Sequence, residues 1–574
     1  MRNSISAIRE VIATLFLYSA VFAAPAQPVR VPHAMVVSVH ELASRAGVEM
    51  MRAGGNAVDA AVATGLALAV VHPAAGNLGG GGFMLIQLKN GGSHFIDYRE
   101  KAPAAATANM YLDARGNLIP DASVIGYKSI GVPGSIAGMV YAEKRYGKLG
   151  LKDVMAPAVK LARDGYILTN SEAEALKDKD LGRFAESREV FQRNGRYYKA
   201  GDIFRQPELG RTLERIEANP EDFYHGAMAQ ELAAFVEKGG GLLTTDDLAH
   251  YEVKEREPIR GTYRGYEIIS APPPSSGGIA LMEILNILEG YDLAREGRSA
   301  DSIHLTIEAF RRAFFDRAEF LGDPDFSRIP VAQLIDKKYG AAWRESIDPR
   351  HATASKDLKR PAIFHELEQY AASHEPMVVR EPMNTTHYSV VDAAGNAVAV
   401  TTTLNDSFGS RVTAGNLGFL LNDEMDDFSA KPGVPNLYGL IQGPANAIGP
   451  GKRPLSAMTP TIVMKDGKLF LVLGSPGGPR IITTVANILM GVINYGMNIR
   501  EAVDAPRFHQ QWMPDVVNLE KSFPPETAER LKRMGYKTEV ENPWSDGECI
   551  AIDLKTGERL GASDDRHNGK AAGY

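Results

Sequence analysis

The spacing of apolar and polar residues predicts a chain of strand pairs alternating with helices. Four segments each read as two strands joined by a glycine-containing turn: "GGFMLIQLKNGGSHFIDYRE", "HYSVVDAAGNAVAVTTTL", "TPTIVMKDGKLFLVLGS" and "ECIAIDLKTGERLGAS". Helical periodicity marks "SRAGVEMMRAGG", "VMAPAVKLARDGY" and "PRIITTVANILMGVINYG". Such an alternation is typical of layered sheets covered by helices.

A second apolar stretch, "NAVDAAVATGLALAVV" from Asn56 to Val71, predicts a helix buried on most sides. Asn56 can cap its start, with Asp59 three residues later as in a capping box. The stretch is short and contains Asp59, so we interpret it as a core helix packed on a sheet and not as a membrane helix.

Threonines mark both ends of the hairpin in "TTHYSVVDAAGNAVAVTTTLN". A three-residue loop centred on Ala394 would place Thr385 opposite Thr403, with Asn405 two residues further on the same face. Opposed residues have Cβ atoms about 4.5–5.5 Å apart, within reach of a hydroxyl–hydroxyl hydrogen bond. The pair is either a structural cross-strand contact or a nucleophile with a helper. The second reading requires cleavage of the Asn384–Thr385 bond, because the α-amine of Thr385 can act as its base only at a chain start.

Composition and charge narrow the class of protein. The 574 residues are 23% charged and 44% hydrophobic, as in soluble globular proteins, and allow one large domain or two ordinary ones. The net charge of -7 gives no reason to expect a nucleic-acid partner. Cys549 is the single cysteine, so no intrachain disulfide is possible and stability must come from core packing.

The N-terminal residues resemble a secretory signal peptide. Arg2 and Arg9 begin a basic segment, "VIATLFLYSAVFAA" is a short apolar core, and small residues around Ala24 offer cleavage patterns. We therefore predict a signal peptide at about residues 1–24 and a periplasmic or secreted protein. An uncleaved N-terminal anchor is the alternative, although the apolar run is short for a membrane span of about 20 residues.

Other chemical motifs are incomplete. The pairs His40–Glu41 and His365–Glu366 lack the second histidine of a helix-borne zinc site, so no metal or cofactor is predicted. "GNLGGGGF" lacks the residues of a phosphate-binding loop and is interpreted as a tight backbone crossing. "GSPGG" around Ser475 does not match a nucleophile elbow.

The hairpin resembles the signature of the γ-glutamyltranspeptidases, which are N-terminal nucleophile (Ntn) hydrolases. Further segments match that family in order, from about residue 34 to the C-terminal "GY": "GGNAVDAAVATGLALAVVHPAAGNLGGGGFMLI", "IDYREKAP", "PPPSSGG", "EFLGDPDF", "NDEMDDFSAKPGVPN", "GKRPLSAMTPTIV" and "GSPGGPRIITTV". The resemblance implies a four-layer αββα sandwich with two central, mainly antiparallel sheets flanked by helices.

The resemblance also implies a precursor that cuts itself between Asn384 and Thr385. Residues 25–384 would form a large subunit and residues 385–574 a small catalytic subunit, the two sharing one αββα domain. Thr385 would be the nucleophile, Thr403 would orient it, and Gly477 and Gly478 would form the oxyanion hole. The expected activity is that of a γ-glutamyltransferase and glutathione hydrolase.

The implied substrates are glutathione and other γ-glutamyl compounds, with amino acids or peptides as acceptors. Arg99 and Ser456 would bind the α-carboxylate, while Asp427, Glu424 and Asn405 would hold the α-ammonium. The segment "DDFSAKPGVPNLYGLIQGPANAIGPGKRPLS" resembles the lid loop of the family, with Tyr438 as the wall over the substrate.

One residue departs from the family pattern, because Ala457 stands where a second serine is usual. The lost hydrogen bond is worth about 0.5–1.5 kcal/mol if uncompensated. This keeps open a related glutaryl or cephalosporin acylase, although Asp427 would be unmatched by a glutaryl end. A non-catalytic periplasmic γ-glutamyl-binding protein that never matures is a third reading.

Overall fold

The computed structural model describes residues 26–365, 367, 384–429, 443–566 and 569–574, together with the backbone of 379–380 and 438–439. In chain order the α-helices are α1 Glu41–Arg52, α2 Ala57–Val71, α3 Ser135–Tyr146, α4 Leu151–Asp164, α5 Asn170–Ala175, α6 Ala185–Gln192, α7 Pro207–Ala218, α8 Asp222–His225, α9 Ala227–Lys238, α10 Thr245–Ala249, α11 Gly277–Leu288, α12 Leu293–Glu296, α13 Ala300–Phe320, α14 Val331–Leu334, α15 Lys337–Glu345, α16 Arg480–Ile493, α17 Ile499–Asp504 and α18 Pro525–Arg533. The strands are β1 Val29–Val31, β2 Met35–Ser38, β3 Gly81–Gln87, β4 Ser93–Tyr98, β5 Tyr166–Ile167, β6 Ile203–Phe204, β7 Lys254–Arg256, β8 Ile259–Tyr263, β9 Tyr266–Ser270, β10 Val379–Arg380, β11 Thr385–Val391, β12 Ala397–Thr403, β13 Tyr438–Gly439, β14 Thr461–Lys465, β15 Lys468–Leu473, β16 Phe508–His509, β17 Val517–Glu520, β18 Thr538–Glu541, β19 Glu548–Ile552, β20 Arg559–Ser563 and β21 Lys570–Gly573.

Two seven-stranded sheets form the centre of the fold. Sheet I has the strand order β21-β2-β11-β12-β3-β4-β7, and sheet II has the order β1-β20-β19-β15-β14-β9-β8. The neighbouring strands within both sheets are antiparallel. Each sheet contains strands from both sides of the Asn384–Thr385 bond, so the two parts of the chain share one structure.

Helices cover the outer face of each sheet. Helices α1, α2, α4 and α7 pack with the outward side chains of sheet I in one apolar core, which includes Met84, Tyr388 and Val400. Helices α11, α13 and α16 cover sheet II, and their core continues into the space between the sheets. The order of layers is therefore helix, sheet, sheet, helix, which confirms the predicted αββα sandwich.

The hairpin β11–β12 has the predicted register. Thr385 pairs with Thr403, and the loop is centred on Ala394. Side chains alternate between the two faces of a strand, so Val390 faces the helices while Val391 faces sheet II. The same alternation turns both Thr385 and Thr403 toward the space between the sheets.

The glycine run before β3 allows close contact between backbones, as predicted. A β-carbon at Gly80 would lie 2.1 Å from the carbonyl oxygen of Thr403, and one at Gly82 would lie 2.5 Å from that of Thr401. Gly81 pairs directly with Thr403. The run thus lets β3 lie against the threonine end of β12, where any side chain would clash.

The core helix α2 begins with the predicted capping box. The Asn56 side chain accepts hydrogen bonds from the backbone of Val58 and Asp59, and Asp59 accepts from the backbone of Asn56. All fifteen residues of the helix are buried. No helix in the described part of the chain has both the length and the hydropathy that crossing a bilayer requires.

Candidate active site

The end of the hairpin brings three reactive groups together. The hydroxyl oxygens of Thr385 and Thr403 are 3.5 Å apart, and Thr403 Oγ1 donates to the carbonyl oxygen of Asn384 at 3.2 Å. The backbone N–H of Asn405 donates to Thr403 Oγ1 at 2.9 Å. Thr403 therefore contacts both the hydroxyl and the carbonyl that the sequence predicts to react in chain cleavage.

A small pocket opens at these threonines, with a cavity volume of about 20 Å³. The lining residues come from segments distant in the chain: Arg99, Thr385, Thr403, Asn405, Glu424, Asp427, Ser456, Ala457, Met458, Gly478 and Ile481. The structure thus gathers into one pocket almost every residue that the sequence predicted for the site.

Arg99 follows directly after β4 and is almost fully buried. Its guanidinium forms ion pairs with Glu424 and Asp427. The same group donates to the backbone carbonyls of Pro454 and Leu455, each at 3.3 Å. These four contacts hold the cation at the pocket wall, where it can bind a carboxylate.

Glu424 and Asp427 lie at the two ends of one short 3₁₀ turn, Glu424–Asp427. Side chains three residues apart eclipse each other in a 3₁₀ helix, so both carboxylates face the same side. That side carries Arg99. The acidic residues of "DEMDD" therefore have different surroundings. Glu424 and Asp427 line the pocket, whereas the Asp426 carboxylate accepts a hydrogen bond from the Ser123 hydroxyl.

Burial raises the pKa values of two carboxyl groups at this pocket. Burial raises the pKa of Glu100 to about 7, although the Arg99 guanidinium, 3.7 Å away, opposes that shift. Burial likewise raises the pKa of Glu424 well above its usual range, against the pull of Arg99 and with the support of the Glu100 charge. A cationic ligand group near Glu424 would favour the ionised carboxylates.

Asn405 lies beyond the end of β12, so the alternation of side chains along a strand does not explain its place in the pocket. The strand β12 ends at Thr403, and Asn405 adopts a positive φ of 84°. Its side-chain amide donates to the backbone carbonyl of Asp423 at 3.0 Å. A tight turn, and not the strand itself, therefore places Asn405 beside Thr403.

Ser456 is held by the "PPPSS" loop before α11. Its N–H donates to the Pro274 carbonyl at 3.0 Å, and its own carbonyl accepts from the backbone and hydroxyl of Ser276, both at 2.7 Å. The Ser456 hydroxyl accepts from the Met458 N–H at 3.1 Å. Ala457 lines the pocket next to it and adds only a methyl group there.

Gly477 and Gly478 lie just before α16, separated from its first residue, Arg480, by Pro479. Both have positive φ, 128° and 54°, and Gly478 lines the pocket while Gly477 lies against Ser545. Neither glycine N–H donates to any residue that the structure describes. Free N–H groups at the start of a 14-residue helix, with its positive dipole end, can bind an anion.

The structure describes the two ends of the predicted lid, residues 426–429 and 443–456, and the backbone of 438–439. The backbone of Tyr438 pairs with that of Arg380 in the short ladder β10–β13, and its side chain is outside the description. Sequence reasoning missed Met458 and Ile481 as pocket residues, as well as buried Glu100, which adjoins Arg99 in the matched "IDYREKAP". Their neighbours in the matched motifs were the only signal. Among the described residues no cluster of metal-ligating side chains is found.

Comparison with known proteins identifies the family. The γ-glutamyltranspeptidase family matches residues 43–574. The chain belongs to the γ-glutamyltranspeptidase family. It is 49% identical to a glutathione hydrolase proenzyme of Pseudomonas sp. (strain A14), with 96% of both chains covered. It is also 49% identical to the glutathione hydrolase proenzyme of Escherichia coli (strain K12), covering 95% of this chain and 93% of that protein.

A solved structure supports the fold of this family member. The cephalosporin acylase from Bacillus halodurans superposes with a TM-score of 0.82 at 28% identity, covering 97% of this chain and 98% of that one. The αββα sandwich is thus shared between a γ-glutamyltranspeptidase family member and an acylase, so the fold alone does not choose the substrate.

Proposed function

We propose that this protein is a γ-glutamyltransferase and glutathione hydrolase made as a self-cleaving precursor. One observation carries the proposal: the Thr385 and Thr403 hydroxyls share a pocket with the Arg99 cation and the Glu424 and Asp427 carboxylates. This pairs a nucleophile with charges that match both the α-carboxylate and the α-ammonium of a γ-glutamyl group.

The precursor is cut by the residue that later performs turnover. The Thr385 hydroxyl attacks the carbonyl carbon of Asn384, the C–N bond breaks, and an ester replaces the peptide bond. The hydrogen bond from Thr403 to the Asn384 oxygen favours the negative charge that develops there. The acyl shift frees the α-amine of Thr385, and hydrolysis of the ester then releases the Thr385 hydroxyl and the Asn384 carboxylate. The free amine serves as base for its own hydroxyl.

Turnover follows the same acyl-transfer chemistry. The Thr385 hydroxyl attacks the γ-carbonyl of the donor, and the free amine takes its proton and returns it to the leaving amine. The N–H groups of Gly477 and Gly478, at the start of α16, stabilise the oxyanion. Water or the amine of an amino acid or peptide then attacks the γ-glutamyl ester, takes up the γ-glutamyl group and frees the Thr385 hydroxyl.

Donor binding exchanges partners within the pocket. Arg99 pairs with Glu424 and Asp427 at the pocket wall, so these ion pairs occupy the groups that the donor needs. The α-carboxylate of the donor therefore replaces those carboxylates at Arg99 and accepts a hydrogen bond from the Ser456 hydroxyl. The α-ammonium replaces Arg99 at Glu424 and Asp427, with Asn405 beside it. Both ends of the zwitterion are needed to leave no buried charge unpaired.

A glutaryl or cephalosporin acylase is the second candidate, favoured by the similarity to the Bacillus halodurans acylase and by Ala457. A glutaryl group has no α-ammonium, so Glu424 and Asp427 would face it without a cationic partner after Arg99 is taken. That charge mismatch favours γ-glutamyl donors.

The remaining features concern maturation and location. A signal peptide at about residues 1–24 would direct the protein to the periplasm or medium and be removed there. Residues 25–384 and 385–574 would stay together, because strands of both parts are hydrogen-bonded to each other within each sheet. A lid carrying Tyr438 would exclude water and favour transfer to an acceptor.

The test begins with the purified protein on a denaturing gel. Active wild-type protein should give two bands, with Thr385 as the first residue of the smaller one, and a single uncut band from active material would refute the proposal. Thr385→Ala should remain uncut and inactive. Wild type without turnover, together with ligand binding that Thr385→Ala leaves unchanged, would instead support a binding protein. Relative rates with glutathione and a glutaryl amide decide between transferase and acylase.

A further inference from the structure

A fully buried asparagine connects the two charged halves of the pocket. The side-chain N–H of Asn446 donates to the backbone carbonyl of Asp427 at 2.6 Å, and the backbone N–H of Leu455 donates to Asn446 Oδ1 at 2.8 Å. Asp427 is the predicted ammonium ligand, and Leu455 precedes Ser456, a predicted carboxylate ligand. The Asn446 side chain therefore bridges the two segments predicted to bind opposite ends of the substrate.

Arg99 joins the same two segments from the pocket side. It pairs with the Asp427 carboxylate and donates to the Leu455 carbonyl at 3.3 Å. Residues 427 and 455 are thus tied twice, by Asn446 and by Arg99. Under the proposed function Arg99 gives up its pair with Asp427 when a donor binds, whereas Asn446 does not line the cavity and keeps both hydrogen bonds.

We infer that Asn446 is a positioning residue, which fixes the separation between the ammonium-binding and carboxylate-binding sides of the donor pocket during turnover. The inference rests on the proposed function. The Asn446 backbone is itself anchored, since its carbonyl accepts from the Ser429 N–H at 3.0 Å and its neighbours Ala445 and Ala447 accept from the buried Lys452 ammonium at 2.6 and 3.0 Å. An anchored backbone lets the side-chain amide act as a rigid spacer.

The experiment compares Asn446→Ala with wild type, using a chromogenic γ-glutamyl anilide as the donor. Loss of both hydrogen bonds should raise KM about tenfold or more, since each is worth about 0.5–1.5 kcal/mol and 1.4 kcal/mol is tenfold. The value of kcat should stay within about threefold, because Thr385, Thr403 and the glycine N–H groups are untouched. The matched control is Asn494→Ala. It removes a buried side-chain amide that donates to the Tyr263 hydroxyl at 2.9 Å and does not line the pocket, so KM should be unchanged.

A second variant provides a readout that a merely structural residue would not move. Asn446→Asp keeps an oxygen to accept from Leu455, but only its protonated carboxyl can donate to Asp427. Its KM relative to wild type at the same pH should therefore fall as pH is lowered from about 8 to 5, where a buried carboxyl gains its proton.

The outcomes test the proposed function and the positioning role of Asn446 separately. Wild type that does not cleave the anilide refutes the proposed function. Active wild type together with an unchanged KM in Asn446→Ala, or a pH-independent KM ratio in Asn446→Asp, overturns the positioning role alone. If Asn446→Ala is not processed, Asn446→Asp decides. If neither is processed while Asn494→Ala is, Asn446 serves folding and the inference is wrong.

Discussion

The hydroxyl of Thr403 and the carbonyl oxygen of Asn384 lie 3.2 Å apart, with Thr403 as the donor. Thr403 also accepts from the Asn405 N–H and from the Thr385 hydroxyl. A hydroxyl has one donor and two acceptor positions, so these three contacts use all of its capacity, and its donor points to the bond predicted to break. Thr403 therefore links the orientation of the nucleophile to the polarisation of its first target.

Replacement of Thr403 by valine should slow chain cleavage. Valine keeps the branched shape that suits a strand but cannot donate to the developing oxyanion, so we expect processing to slow by roughly ten- to a hundredfold. Thr403→Ser keeps the hydroxyl and is the control. The measurement is the fraction of uncut chain over time on a denaturing gel. Equal rates for the valine variant and wild type would exclude this role.

Ala457→Ser should tighten donor binding. The new hydroxyl lies next to Ser456 in the pocket lining and can supply the hydrogen bond that the family usually has. One such bond predicts a KM for glutathione lower by about three- to tenfold, with kcat little changed. Ala551→Ser, at an equally buried alanine in β19, should leave KM unaltered. A higher or equal KM in Ala457→Ser would show that the hydroxyl is not used.

Gly477→Ala should impair catalysis for two separable reasons. A β-carbon there would lie 2.1 Å from Ser545 Oγ, and φ of 128° is unfavourable for any residue with a side chain. A displaced oxyanion N–H predicts a kcat lower by about 10²-fold or more. Adding Ser545→Gly should restore part of this loss, because the clash is removed and the backbone strain remains.

The matched control for that change is Gly467→Ala. Gly467 has φ of 70° in the turn between β14 and β15, and a β-carbon there meets no atom within 4 Å. This variant carries backbone strain without a clash, outside the pocket, and should keep kcat. Wild-type kcat in Gly477→Ala would argue against an oxyanion role for this glycine.

Glu143→Gln should change how stability depends on pH. Burial and the nearby Asp59 charge raise the pKa of Glu143 to about 8, above the 4.5 of an exposed glutamate. The folded state therefore holds a proton that the unfolded state releases, so this contribution is fully present below about pH 4.5 and is lost as pH rises to 8. Glutamine cannot ionise and escapes that loss.

The comparison uses urea unfolding between pH 5 and 8, in a Thr385→Ala background that keeps one chain. The wild-type free energy of unfolding should fall relative to the Glu143→Gln variant by up to about 1.4 kcal/mol per pH unit. Glu237→Gln, at an exposed residue of α9, should show no such difference. A constant difference across this pH range would mean that Glu143 is ionised in the folded protein.

Much of the fold followed from local patterns. The hairpin register that opposes Thr385 and Thr403, the capped helix α2 and the strand pairs β3–β4, β14–β15 and β19–β20 are all as predicted. These features depend on residues close in sequence, where side-chain period and turn chemistry are sufficient. The order of strands in each sheet could not be derived in this way, because it joins segments hundreds of residues apart.

In the candidate site, too, some residues follow from local sequence patterns and others do not. Arg99, Glu424 and Ser456 could be named only through motif resemblance, since an arginine after a strand or an acidic turn is ordinarily a solvated charge. Asn446 lies in the segment that resembles the lid loop, but that resemblance gave it no role. Its role depends on Asp427 and Leu455 lying on either side of it, a relationship that pattern and spacing do not encode.

The amino-acid sequence by itself determined the hairpin, its opposed threonines and the helices that cover the sheets, because apolar periodicity and turn residues act over a few neighbours. Only the tertiary structure decided that Arg99 meets Glu424 and Asp427 beside Thr385, and that Asn446 spans the pocket wall. Burial is the physical reason. Once packing removes water from these groups, each charge and hydrogen-bond donor must find a partner within the fold, wherever in the chain that partner lies.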